Sequence, residues 1–257
     1  MPKVLVAGRG GSGKSTLVAF LGRKLSEEGK VLVVDADESN LGLAFMMGLT
    51  PPKRTLLDFL GGKAGVKEKL REAIEGREVS FFAHGFSVFE LPKEVLSSGD
   101  GLYMLQVGKE EHAMEGCACP MGLVARDFLK KLNAEDLWVL IDTEAGVEHF
   151  GRGLVGEVDL VLYVAEPAFE SFLLLEKAKR MTEEANKPFL VVLNKVNPKL
   201  EEKAKEMIRG KGIEAIASIP YDEELFQANL LGEPISKLPE EITKVVAEIK
   251  RKCLWLR

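Results

Sequence analysis

Nothing in this chain limits its architecture as much as the run Gly8-Arg9-Gly10-Gly11-Ser12-Gly13-Lys14-Ser15-Thr16, set between an apolar stretch and an amphipathic one. The spacing is that of a phosphate-binding loop leading from a strand into a helix. Glycines let consecutive backbone N–H groups curl round phosphate oxygens, an approach that a Cβ would obstruct. The following helix adds unpaired N–H donors and partial positive charge at its first turn. In that geometry Lys14 reaches the β- and γ-phosphates and Ser15 offers its hydroxyl to Mg²⁺. The plain alternative is a glycine-rich turn with a chance Lys-Ser, and the flanking strand and helix patterns favour the phosphate reading.

Short β-branched runs alternate with charged helical stretches along almost the whole chain. Strands are expected over residues 4–7, 31–34, 102–107, 138–141, 160–165, 189–193 and 214–218. They are nearly continuous in apolar residues, as in strands buried on both faces of a parallel sheet. Helical patterns lie between them at 14–28, 170–185, 199–209 and 239–251. The expectation is an α/β fold, a doubly wound and mainly parallel sheet of about seven strands with helices on both faces. One domain is expected over residues 1–257, with an irregular, glycine-rich insertion around 49–101 holding a helix at 66–74.

Composition narrows the function classes. Apolar residues make up 46% and charged residues 29% of the 257, which is a globular balance. A net charge of -5 lacks the basic excess of a nucleic-acid binder. Apolar runs reach only four to six residues, far short of a bilayer span. The chain enters its first strand at Lys3 with no secretory leader before it. Three cysteines do not make a disulfide framework. A soluble cytoplasmic protein is the expectation.

Acidic residues complete a nucleotide site. Asp142 ends the apolar run Trp138-Val139-Leu140-Ile141, and Asp35 and Asp37 follow the second strand. That places carboxylates at the sheet edge where open α/β sheets bind ligands, and where one can hold hydrated Mg²⁺. Each alone reads equally as a strand-end or capping aspartate.

Taken together, these residues carry a family resemblance. Arg9-Gly10-Gly11-Ser12-Gly13-Lys14-Ser15 resembles the deviant Walker A loop of the dimerising ATPases that include MinD, ParA, the arsenical-pump ATPase and the nitrogenase iron protein. Asp35-Ala36-Asp37 with Asn40-Leu41 resembles their first switch, and Asp142-Thr143-Glu144-Ala145-Gly146 their second. Asn194-Lys195, Ser218-Ile219-Pro220-Tyr221-Asp222 and Gly232-Glu233-Pro234 resemble their nucleobase-side segments. The resemblance implies a MinD-like P-loop fold, ATP and ADP as ligands, and a homodimer. It implies that Asp37 positions or activates the attacking water and that Asp35 and Asp142 serve the magnesium shell with Ser15. It also implies that Asn194 hydrogen-bonds adenine and that Pro220 borders the base, with Lys195 beside them. The family's signature lysine, which reaches into the partner's site, falls at Arg9. Arginine is also cationic and forks onto phosphate, so a finger-like role survives chemically; the plain reading is an exposed loop arginine.

A last motif, Cys117-Ala118-Cys119-Pro120, lies in a loop around 110–121. In an extended segment the two thiols fall on one side of the chain. A tetrahedral thiolate site needs four ligands, which two chains on a two-fold axis supply; the alternative is a pair of inert or redox-active cysteines. Cys253 lies on the apolar face of a C-terminal helix as a core filler, and His112 reads as a solvated loop residue. With the run from Asp142 to His149, the Cys-x-Cys segment resembles the CooC family, the nickel-insertion ATPases of carbon monoxide dehydrogenase. That resemblance implies Ni²⁺ (or Zn²⁺) held by Cys117 and Cys119 at the dimer interface, and a nickel-enzyme client. Two other functions stay open: an iron–sulfur carrier or reductase-type ATPase, and a MinD/ParA-type positioning ATPase. Neither nucleic acid nor stable membrane binding is expected.

Overall fold

Eight strands form one sheet in the computed structural model, which describes residues 1–74, 80–83, 85–109, 119–147, 150 and 153–254. They are β1 (Lys3–Gly8), β2 (Lys30–Ala36), β3 (Ser97–Gly99), β4 (Leu102–Gln106), β5 (Leu137–Thr143), β6 (Leu160–Ala165), β7 (Phe189–Val196) and β8 (Ala215–Pro220). Their order is β3-β4-β2-β5-β1-β6-β7-β8, and every pairing is parallel except that of β3 with β4. The seven expected strands are all present. The eighth, β3, is a three-residue edge strand with no fully buried residue, too short and too polar to show a period.

Because successive side chains on a strand point to opposite faces, each strand feeds two apolar layers. One layer takes Leu5, Leu32, Val34, Val139, Ile141 and Val161. It is covered by α3 (Leu56–Phe59), α4 (Gly62–Ile74), α5 (Cys119–Lys131), α6 (Phe169–Glu184) and α7 (Glu201–Arg209). The other takes Val4, Val6, Val31, Val33, Leu140 and Leu162. It is covered by α1 (Lys14–Ser26), α2 (Leu43–Met46) and α9 (Glu241–Leu254). Of the remaining helix, α8 (Glu223–Leu231), no residue is buried. Residues 49–101 hold α3, α4 and β3, and Leu56, Leu57 and Val66 join the same layer as the sheet.

This topology decides where the site lies. The parallel strands β1, β2, β5, β7 and β8 all end at one edge, so Gly8, Asp35, Asp142, Asn194 and Pro220 converge there. Asp35 and Asp142 face each other in the β2–β5 register.

Candidate active site

An open cleft of about 720 Å³ lies at this edge, lined by Gly10, Gly11, Gly13, Lys14, Ser15 and Thr16 of the loop. From the switch-like segments it takes Asp37, Glu38, Ser39, Met46, Glu144 and Ala145. Its far wall holds Asn194, Lys195, Pro220 and Tyr221 together with α8 residues Leu225, Phe226 and Asn229. Gly13 has φ 94°, and a Cβ there would sit 2.3 Å from the Asn194 amide nitrogen. Only glycine combines that left-handed backbone with so close a neighbour. Lys14 is buried, and Gly146 of the second switch-like segment donates its N–H to the Gly8 carbonyl at 3.0 Å.

Ser15 is where the two switch-like segments meet. Its Oγ donates to Asp142 Oδ2 at 2.6 Å, and Asn40 Nδ2 donates to both oxygens, at 2.9 and 3.0 Å. Asp142 is fully buried, and its other oxygen, Oδ1, has no hydrogen-bond partner among the described residues. Burial first, then the neighbouring Asp35 charge, push the Asp142 carboxyl up to about 7, against the Ser15 hydrogen bond and the Lys14 charge. Asp35 is raised in the same direction by burial, opposed by Lys109. A half-buried hydroxyl beside a buried carboxylate with an unspent oxygen suits Mg²⁺, which takes one or two protein oxygens and keeps several waters. The residues present fit the ion, with Ser15 and Asp142 as its holders and Asp35 behind them.

Asp37 lines the cleft, and its Oδ1 accepts from the Ser39 N–H at 3.0 Å and the Ser39 hydroxyl at 2.7 Å, which orients the carboxylate. On the base side, Asn194 Nδ2 donates to the Ser12 carbonyl at 2.8 Å, and Lys195 Nζ to the Gly11 carbonyl at 2.7 Å. Both side chains therefore brace the phosphate loop as well as lining the cleft. Arg9 lies outside the cleft lining, forked onto Glu166 at 2.7 Å and Glu170 at 2.9 Å. Cys117 lies outside the described residues, as do His112 and His149. Cys119 opens α5, so the helix begins within the loop expected around 110–121. Among the described residues, no group of three or more His, Cys, Asp or Glu is placed to hold a metal ion. Cys253 is buried, and burial pushes its thiol up to about 11, as suits a core filler.

Two residues that contact this constellation had no role in the sequence reading. In the sequence Asn40 stands out only through the resemblance, and a loop asparagine after a strand is otherwise a common turn residue. Lys109 follows β4 at the same sheet edge, and that position was its available signal.

Residues 3–235 match the family of CobQ/CobB/MinD/ParA nucleotide binding domains. An uncharacterized ATP-binding protein of Methanocaldococcus jannaschii is 39% identical over 246 residues, covering 95% of this chain and 98% of that one. The carbon monoxide dehydrogenase accessory protein CooC of Rhodospirillum rubrum is 31% identical over 233 residues, covering 90% and 88%. Among solved structures, the MinD cell division protein of Aquifex aeolicus superposes with a TM-score of 0.68 at 22% identity, over 97% of each chain, a likeness of fold. Among the described residues, no helix is long and apolar enough to cross a membrane. The chain belongs to the CobQ/CobB/MinD/ParA nucleotide-binding family, and its deviant Walker A loop makes it a P-loop ATPase.

Proposed function

We propose that this ATPase is a nucleotide-driven homodimeric switch of the MinD/ParA kind, acting in the cytoplasm. The observation that carries the reading is the convergence of Asn40 and Asp142, one from each switch, on the Ser15 hydroxyl. That hydroxyl belongs to the phosphate loop, so Mg²⁺ arriving with ATP would compete with the Asn40 amide for both Ser15 and Asp142. Binding is thereby tied to a movement of the first switch, and loss of the γ-phosphate releases it. Lys14 stabilises charge on the phosphoryl group, and Asp37 orients the water that attacks the γ-phosphorus as its bond to the ADP oxygen breaks. Ser15 and Asp142 would hold the magnesium ion, which would supply neutralisation of phosphate charge. Arg9 becomes available to a partner's nucleotide only once its fork onto Glu166 and Glu170 opens.

Light scattering on protein saturated with ADP, or with ATP in an Asp37→Asn variant, tests the switch. A mass that doubles with ATP and not with ADP is expected. A mass unaffected by nucleotide would remove the reading.

The similarity to CooC, taken with Cys117-Ala118-Cys119, favours a second function, delivery of nickel to carbon monoxide dehydrogenase or a related enzyme. Here the closed dimer brings two cysteine pairs to one Ni²⁺ or Zn²⁺ ion. In the same experiment, one divalent metal per two chains that disappears in Cys117→Ser/Cys119→Ser would select it. Iron and sulfide at about four per dimer would instead select the cluster carrier.

A further inference from the structure

Lys109 is the most heavily engaged cation of the site. Its Nζ donates to Asp35 Oδ2 at 2.6 Å, to the Asp37 carbonyl at 2.5 Å and to the Asn40 carbonyl at 2.5 Å. An ammonium has three N–H donors, and all three are spent here. The side chain is 8% exposed and the Asp35 side chain 0% exposed, so this is a buried, desolvated contact.

We propose that Lys109 is a positioning residue for ATP hydrolysis, pinning the loop between Asp37 and Asn40 to the sheet while the Asn40 side chain changes partners. The proposal rests on the reading of that loop as the first switch. Neutralising Asp35 alone would need one of the three bonds, and Gln106 Nε2 already assists there at 3.2 Å. The other two bonds go to backbone carbonyls three residues apart, and these do nothing for a buried carboxylate. They do set the path of the loop that carries Asp37.

The anchor is firmer than what it holds. Val107 donates its N–H to the Asp35 carbonyl at 2.9 Å and accepts from the Leu57 N–H at 2.9 Å, so the chain is tied on both sides two residues before Lys109. At Gly108 a Cβ would meet the Met121 sulfur at 2.4 Å, so this residue lets α5 lie directly against the strand end. The loop after β2, by contrast, leaves the ladder at Ala36. When Mg-ATP takes Ser15 and Asp142 from the Asn40 amide, the ammonium still grips the Asn40 backbone. Asp37 therefore keeps its register against the phosphates.

The test uses Lys109→Met and Lys109→Arg in the full chain. Steady-state ATP hydrolysis is measured, with ADP affinity by titration and backbone hydrogen exchange by mass spectrometry. In K109M, kcat is expected to fall by about ten- to a hundredfold, the cost of misplacing a reacting group. ADP affinity should stay within about twofold, because the phosphate loop is untouched. Exchange should rise over residues 37–42 with β1 and β5 unchanged. K109R keeps the charge beside Asp35 but spreads its donors in a planar fork; its ADP affinity should stay within about twofold of wild type and its kcat should stay low. Wild-type turnover in either variant would overturn the proposal. So would a rise in exchange spread evenly over the sheet, which marks general loosening. If instead the switch reading were wrong, Asp37→Asn would retain wild-type turnover; an inactive Asp37→Asn beside an active K109M would sink the pin alone.

Discussion

At Asp142, one carboxyl reports on both protons and magnesium. Its ordinary value of 3.8 is raised to about 7 by burial and by the Asp35 charge. A raised carboxyl holds its proton longer when folded than when unfolded, so it favours the folded chain most below its unfolded value. That contribution is lost as pH rises through about 7. Asp35, shifted in the same direction, adds to the same slope, and the two titrate as a pair. The nucleotide-free protein should therefore lose stability between about pH 4 and about pH 7, by a few kcal/mol. Asp142→Asn should remove much of that slope and be the more stable chain at the alkaline end. Magnesium needs the ionised carboxylate, so Mg-ATP affinity should climb over the same interval in wild type. Unfolding midpoints and nucleotide titrations at matched pH would check both, and parallel slopes in the two proteins would count against the assignment.

Between elements, the telling contact is that of the phosphate loop with α6. Arg9 is forked by Glu166, just after β6, and by Glu170 in the first turn of α6. Arg9 and Glu170 are well exposed, so the fork contributes little to folding. Its effect is on where Arg9 can go, since a cation held by two carboxylates of its own chain is not free for a partner's phosphate. In Glu166→Gln/Glu170→Gln the unfolding midpoint should stay put. The ATP concentration for half-maximal dimer should drop by about two- to fivefold, the scale of an exposed pair. Removing two negative charges also reduces repulsion between chains, so Glu202→Gln/Glu206→Gln on α7 serves as the control. Equal shifts in both variants would assign the effect to net charge. The sequence showed this level unevenly. Buried strands such as β5 and β6 announce themselves as unbroken apolar runs. By contrast, α8 buries nothing and has no core-facing period to read. The Walker loop was legible because each of its residues is constrained by local spacing. Lys109 and the Glu166–Glu170 fork were not, because a lysine after a strand and two glutamates near a helix start gain meaning only when the sheet order places them beside Asp35 and Arg9.

Across the molecule, the nucleotide cleft is built from both halves of the sheet. The loop follows the central strand β1, the acidic residues come from β2 and β5, and the base side comes from β7, β8 and α8. A ligand that bridges these parts binds only when all of them are in place, so its binding energy adds to the stability of the whole fold. At a nucleotide concentration near a hundred times Kd the gain is about 2.7 kcal/mol. For a chain of this size that corresponds to a rise of about 5–10 °C in the unfolding midpoint. Calorimetry with Mg-ATP in an Asp37→Asn background should show one sharpened transition shifted by that amount. Chelating magnesium should forfeit most of the shift, because Ser15 and Asp142 then keep the Asn40 amide and the first switch gains nothing from the phosphates. Lys14→Ala should abolish the shift while leaving the ligand-free midpoint nearly unchanged. A transition that splits in two, with only one part moving, would mean that the base side and the phosphate loop unfold independently. The cleft would then not couple the halves of the sheet, and a switch that relies on that coupling would lose its structural basis.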